Sequence, residues 1–315
     1  MSNPIQGLVI KNTGSHYVVQ TTDGACYDCK VKGNFRIKGI RTTNPVAVGD
    51  RVDISPINDT TGYITAIRPR HNYIIRRASN LSKESHILAA NIDQVFLIVT
   101  LTEPVTPLTF IDRFLATARA YRIPAFIVIN KVDLLDDDDS KEYLEAVAYL
   151  YRSIGYEVIE TSAVSGLGID RLREKLIGKI SLISGNSGVG KSTLINAIVP
   201  DANLRTGEIS TTHHTGMHTT TFSQMIPLPA GGNIIDTPGV KGFGTVDFKP
   251  DEIGHFFPEI FEISKGCRFG NCSHTHEPGC AVRQALADHH ISESRYNSYL
   301  SILEDVNPDK YRKPF

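Results

Sequence analysis

At 315 residues, with 41% hydrophobic and 21% charged side chains, the chain is long enough for two or three domains and apolar enough to give each a core. No apolar run approaches the roughly 20 residues of a membrane span, and the start MSNPIQGLVI lacks the basic head and long apolar centre of a signal peptide, so a cytoplasmic protein with no membrane contact is expected. The net charge of −1 conceals a split: residues 1–77 hold eleven Lys/Arg against five Asp, a local +6 that leaves −7 for the remainder and points to a polyanionic partner for the N-terminal segment.

Residues 1–72 read as short strands (QGLVI, HYVVQT, ACYDCKVK, DRVDIS, GYITAI) separated by the turn signals NTGS, TDGA and NDTTG. Five or six such strands suit a small closed barrel, of the OB type or the SH3-like type, and an OB barrel is a common RNA platform. From about residue 92 the period changes. IDQVFLIVTL reads as a buried strand and FIDRFLATARAY as a helix, and AFIVIN, YEVIET, KISLIS and GNIIDTPG are further strands between helical or irregular stretches. That alternation predicts a doubly wound parallel sheet. The acidic run Asp136–Asp139 sits where a helix should start and is read as solvated helix-start charge. After about 248 the strands stop. DEIGHFFPEIFEIS and CAVRQALADHHISESRYNSYLSILEDV read as helical, with a Cys/His cluster between them. The expected division is therefore 1–72 (barrel), 73–247 (α/β domain) and 248–315 (small, mainly helical metal domain).

GNSGVGKST, Gly185–Thr193, fits G-x-x-x-x-G-K-[ST] between a strand and a helix, the context that motif requires. Gly185, Gly188 and Gly190 let the backbone N–H groups of Asn186, Ser187, Val189 and their neighbours converge on phosphate oxygens at a helix N-terminus. Lys191 is expected to bridge the β- and γ-phosphates, and the Ser192 hydroxyl to bind Mg²⁺. D-T-P-G, Asp236–Gly239, lies at a strand end about fifty residues on. There Asp236 is expected to hold Mg²⁺ through water and the Gly239 N–H to reach the γ-phosphate. The intervening ISTTHHTGMHTTTF is loop-like, and Thr220, with Thr219 as the alternative, is expected to supply the second Mg²⁺ hydroxyl.

N-K-V-D, Asn130–Asp133, closes the strand AFIVIN. Asp133 can accept both N–H donors on the guanine edge, which adenine does not offer. Asn130 reaches N7/O6 and ties loops together, the Lys131 stem covers the base, and Ser162 and Ala163 in ETSA bring backbone to O6. The order is then guanine loop, S-A loop, phosphate loop, threonine loop, D-x-x-G. A cyclic rotation restores the usual order of a P-loop GTPase, and circular permutation keeps such a site intact where the old termini lie close. The site is expected to bind GTP and GDP.

CRFGNCSHTHEPGC places Cys267, Cys272, His274 and Cys280 at C-x4-C-x-H-x5-C, a closed set for one structural Zn²⁺, with His276 as the alternative fourth ligand. Cys26 and Cys29 are three apart on a predicted strand and point to opposite faces, so they are read as packed residues.

A permuted GTPase with a basic N-terminal barrel and a C-terminal Cys/His unit resembles the bacterial ribosome small subunit-dependent GTPase A family over essentially the whole chain. The resemblance implies an OB-fold, a permuted GTPase and a zinc domain. It further implies late maturation of the 30S subunit, with 16S rRNA as the bound RNA and GTPase activity stimulated by the subunit. Val240 stands where better-known GTPases carry a water-orienting Gln. The family carries a candidate catalytic His at the position of His218, beside the Mg²⁺ threonine; His213 and His214 are weaker candidates. Lys191 and Thr220 complete the expected catalytic set, and the chain is read as a monomer. The alternatives are a tRNA-modification or other RNA-linked GTPase, a P-loop nucleotide kinase, and an RNA chaperone that uses GTP only for folding.

Overall fold

The computed structural model describes residues 4–31, 45–77, 85–204, 223–236 and 248–306. The threonine-rich loop, Gly239 and Val240 lie outside these residues.

Strands β1 (Ile5–Asn12), β2 (Tyr17–Thr21), β3 (Cys26–Val31), β4 (Arg51–Pro56) and β5 (Thr61–Ile67) close a five-stranded barrel. Neighbours run in the order β1-β2-β3-β5-β4, and β4 returns to β1. The β3–β5 pair is parallel and the others antiparallel. That closure by one parallel pair is OB-like, and it decides between the two barrels the strand pattern allows. Alternation along each strand sends Val9, Tyr17, Val19, Cys29, Val52, Ile54 and Ile64 inward. Cys26 is exposed and Cys29 buried, as an odd spacing on a strand requires. Burial pushes the Cys29 thiol up to about 11, which suits a packing residue and not a thiolate.

A hairpin, β6 (Tyr73–Arg77) with β7 (Ser85–Ala90), links the barrel to the sheet. The α/β unit follows with β8 (Gln94–Val99), α1 (Leu108–Ala120), β9 (Ala125–Asn130), α2 (Asp138–Ser153), β10 (Glu157–Thr161), α3 (Ile169–Leu176), β11 (Ile180–Gly185), α4 (Lys191–Ile198), β12 (Gln224–Pro227) and β13 (Asn233–Asp236). The sheet order is β10-β9-β8-β11-β13-β12, parallel except for β12. Helices α1 and α2 cover one face and α3 and α4 the other, each over its own apolar cluster. The chain moves outward from β8 to β10 and then returns to β11 on the other side of β8, so the topological switch point lies between β8 and β11. The acidic run starts α2: the Asp137 side chain accepts from the Ser140 N–H at 2.8 Å, and Asp138 and Asp139 fill the first turn.

The C-terminal unit has a 3-10 segment (Pro250–Phe256), α5 (Pro258–Ser264), α6 (Ala281–Ala287) and α7 (Glu293–Asp305). The last helical run of the sequence is therefore two helices, broken where His289 takes a left-handed conformation. Its core (Ile253, Phe257, Ile260, Tyr299, Ile302) also takes in Ala116 of α1, so this unit packs directly on the α/β unit.

Gly49 sits where the barrel meets β7, at φ +94, and a Cβ there would stand 1.9 Å from the Ala90 carbonyl oxygen. Gly49→Ala is expected to cost about 2 kcal/mol or more, read as a lower urea midpoint by far-UV circular dichroism.

Candidate functional site

Every described nucleotide motif lies at the C-terminal end of a parallel strand. Sheet order places their loops side by side: 162–168 after β10, 131–135 after β9, 100–107 after β8, 186–190 after β11, and Asp236 closing β13.

The phosphate loop leaves β11 at Gly185 and enters α4 through Gly190, at φ +90. Only glycine fits at 190, because a Cβ would meet the Asn130 amide nitrogen at 2.5 Å. Val189 is fully buried and Ser187 and Gly188 are exposed, so the loop is anchored by one side chain while its backbone faces outward. The Lys191 ammonium is folded back into the loop, donating to the carbonyls of Gly185 at 2.9 Å and Asn186 at 2.6 Å. Burial lowers its pKa, and the Asp236 carboxylate opposes that shift. Burial in turn raises the pKa of Asp236, with Lys191 opposing. Asp236 lies on the strand beside the phosphate loop, paired in register with Ile183. Ser192 follows Lys191 in the first turn of α4.

Asn130 is the hub. Its amide N–H donates to the Val189 carbonyl at 2.9 Å, and its amide oxygen accepts from the Thr161 hydroxyl at 3.1 Å. One buried side chain thus ties the ends of β9 and β10 to the phosphate loop. Lys131 follows in a left-handed conformation (φ 63), which turns the chain into a short 3-10 segment and leaves Asp133 exposed at the rim. The Lys131 ammonium donates to the Glu103 carbonyl at 2.5 Å. After β10, the Ser162 N–H donates to the Leu167 carbonyl at 3.0 Å, and the Ser162 hydroxyl accepts from the Ser165 N–H at 3.1 Å. Ser162 therefore shapes the loop that presents Ala163.

The sequence reading missed Thr161 and the loop 100–107. Glu103 acts through its carbonyl, which has no residue signature. Thr161 stands just before S-A in ETSA, and its position at a strand end beside Asn130 was the available clue. Thr220, Gly239 and His218, with His213 and His214, lie outside the described residues.

The second candidate site is a metal centre. The ligand atoms of Cys267, Cys272, His274 and Cys280 all lie within 4.8 Å of one another. His274 Nδ1 stands 3.6 Å from Cys267 Sγ and 3.5 Å from Cys280 Sγ, and those two sulfurs are 4.0 Å apart. A tetrahedral zinc with bonds of about 2.3 Å to sulfur and about 2.0 Å to nitrogen requires roughly 3.8 Å between sulfurs and roughly 3.5 Å between sulfur and nitrogen. The donor set fits. His276 points elsewhere: it is exposed, and its Nδ1 meets the Thr275 hydroxyl at 2.8 Å. The knuckle is braced by the Glu277 carboxylate, which accepts from the N–H groups of Ser273, Thr275 and His276. Burial pushes the Glu277 carboxyl up, but the Ser273 hydroxyl at 2.6 Å and the N–H groups of Ser273 and His276 outweigh it and hold Glu277 well below the usual carboxylate range. Tyr296 and Tyr299 donate from α7 to the carbonyls of His274 and Ser273 at 2.6 and 2.7 Å.

Two family models match: RsgA GTPase over residues 67–246 and RsgA N-terminal domain over residues 6–64. The small ribosomal subunit biogenesis GTPase RsgA of Bacteroides fragilis is 60% identical over 311 residues, covering 99% of this chain and all of the relative. Its counterpart in Porphyromonas gingivalis is 58% identical over 316 residues, with the same coverage. Among solved structures, YjeQ from Thermotoga maritima superposes with a TM-score of 0.78 at 33% identity, covering 98% of this chain and all of that one. YloQ, described as a circularly permuted GTPase, gives 0.74 at 31%, covering 99% and 97%.

Asn130→Ala leaves the Val189 carbonyl and the Thr161 hydroxyl without their buried partner. Guanine-nucleotide affinity is expected to fall about tenfold or more, measured with a fluorescent GDP analogue.

Proposed function

The chain belongs to the RsgA GTPase family, and from that premise we propose that it hydrolyses GTP to GDP and phosphate in the late maturation of the small (30S) ribosomal subunit. In this reading the subunit stimulates turnover, 16S rRNA is the bound RNA, and the chain acts as a monomer in the cytoplasm. Work is divided among residues 1–72, which contact RNA, 73–247, which turn over GTP, and 248–315, which form the zinc domain. No described helix is long and apolar enough to cross a membrane. One observation carries the GTPase reading: the Asn130 amide bonded at once to Val189 and Thr161, which makes the guanine loop, the S-A loop and the phosphate loop one site.

Asp133 takes the guanine N1 and N2 hydrogens, the Lys131 stem lies along the base, and the Ala163 N–H donates to O6, its neighbour's N–H being committed to Leu167. The amides of 186–190 and the Lys191 ammonium bind the phosphates. Lys191 then exchanges two neutral carbonyl partners for phosphate oxygens, a stronger charge-assisted contact. Ser192, Thr220 and, through water, Asp236 would hold Mg²⁺. The fit lies in a hydroxyl and a carboxylate on adjacent elements beside the phosphate loop. When bound, Mg²⁺ neutralises charge on the β- and γ-phosphate oxygens. Gly239 donates to the γ-phosphate. The Val240 side chain has no polar atom with which to orient water, so His218 takes that task. Cys267, Cys272, His274 and Cys280 hold one Zn²⁺ whose part is structural, because four protein donors leave no open position.

The deciding assay measures GTP turnover with purified small subunits, large subunits or tRNA. Strong stimulation by small subunits alone is expected, and stimulation by tRNA instead would overturn the assignment. Asp133→Asn removes an ionic acceptor shared by two donors, so GDP affinity should drop at least about 100-fold, read by equilibrium titration. His218→Ala should abolish most of the stimulated turnover while GDP binding persists; full stimulated turnover would end its catalytic role. Chelation, or Cys280→Ser, should unfold residues 248–306 while the sheet persists, followed by hydrogen exchange and zinc content.

A further inference from the structure

The loop after β8 touches both halves of the nucleotide site. Its Glu103 carbonyl takes the Lys131 ammonium, and its Pro104 ring lies against the phosphate loop, 3.3 Å from where a Cβ on Gly188 would stand. The loop is internally stiff: Thr100 and Thr106 bond backbone to backbone at 2.8 Å, the Thr106 hydroxyl accepts from the Thr100 N–H, and the Thr100 hydroxyl donates to the Pro104 carbonyl. It leads without a break into α1. Wherever α1 sits, this loop follows.

Helix α1 rests on the sheet through Ile111, Phe114, Leu115 and Ala118, and apolar contact of that kind fixes a helix's distance better than its axial position. Polar contacts add direction: Arg113 binds Asp305 and Ser301 of α7 at the surface, and a buried cluster forms at Asp112. Asp112, fully buried, receives the Arg295 guanidinium of α7 at 2.7 Å and the Tyr151 hydroxyl of α2 at 2.8 Å, both on Oδ1. Arg295, 1% exposed, also binds Glu259 of α5 at 2.7 and 3.2 Å, and its plane lies over Phe257 with 4.5 Å to the ring centroid. Two carboxylates share one cation, and Asp112 Oδ2 has no hydrogen-bond partner among the described residues. Such a cluster is directional and intolerant of displacement, because any shift strands buried charge.

We propose that Asp112 and Arg295 are positioning residues for nucleotide binding: through this buried pair the C-terminal unit fixes α1, and with it the loop whose Glu103 carbonyl and Pro104 ring hold Lys131 and the phosphate loop. The C-terminal unit thereby reaches the nucleotide by a route that does not pass through the segment after Asp236. Coupling of this kind is reciprocal, so bound nucleotide also steadies the C-terminal unit.

The inference rests on the guanine-nucleotide reading of the loops, and the test separates the two. Full-length wild type and Arg295→Gln are compared for release of a fluorescent GDP analogue, hydrogen exchange at residues 100–106, zinc content and thermal midpoint. Release should quicken about tenfold and exchange at 100–106 should accelerate, with zinc content equal to wild type and partial recovery in Arg295→Lys. A lower midpoint with unchanged release and unchanged exchange would make the cluster a brace only and overturn the proposal. Should Arg295→Gln not accumulate as folded protein, Asp112→Asn is read by the same criteria. Wild type that binds no GDP analogue would instead overturn the nucleotide reading itself.

Discussion

The bond from the Asn130 amide to the Val189 carbonyl is the contact on which the site depends, because it joins two loops fifty-nine residues apart in sequence. The sheet brings β9 and β11 to either side of β8 but leaves a strand's width between them. A side chain must span that gap, and one whose amide both donates and accepts can take hold of the phosphate loop and of Thr161 together. Gly190 answers from the other side by having no Cβ to block the amide. Chain order is irrelevant to such a contact. Spatial order decides it, and that is why a permuted connection can leave the chemistry unchanged.

The same region shows how buried charge is prepared. Lys191 is held inside the phosphate loop by two carbonyls and offset by Asp236, so its charge is pre-placed and only partly compensated. Buried charge of this kind costs stability in the free protein, and an anion entering the loop would offset the cost. The Asp112–Arg295–Glu259 cluster has the opposite character. It is buried at Asp112 and Arg295, reaches the surface only at Glu259, and is directional, and it contributes position where apolar packing contributes mass.

Much of this was legible in the residues. Gly185–Thr193, Asn130–Asp133 and the Cys/His spacing are readable because each depends on local backbone chemistry that fixes residue type at fixed offsets. The OB-like barrel was half legible: short alternating strands imply closure, but only pairing shows the parallel β3–β5 seam. The docking of the C-terminal unit was not legible. Asp112 and Arg295 are 183 residues apart, and each alone reads as an ordinary charged position on an amphipathic helix. The hub role of Thr161 and the use of the Glu103 carbonyl were equally silent, since a threonine on a strand and a backbone oxygen carry no pattern.

Permutation also explains where the accessory units sit. Strand β12 is a short antiparallel edge, and an exposed edge invites pairing. Here β1 of the barrel meets it, with Lys11 opposite Gln224 and the Asn12 N–H donating to the Ser223 carbonyl. At the other end of the chain, the C-terminal unit returns to cover α1, the first helix of the sheet. A chain that enters its sheet at β8 and leaves it after β13 has both ends of the α/β unit free to carry something. The barrel takes the β12 edge and the C-terminal unit takes the α1 face. Each is attached through a surface that would otherwise be a liability, an open edge in one case and a part-covered apolar helix in the other. The rotated motif order and the appended units are therefore one arrangement, in which the barrel pairs with the edge strand that follows the phosphate loop in the chain and the C-terminal unit packs on the first helix of the sheet.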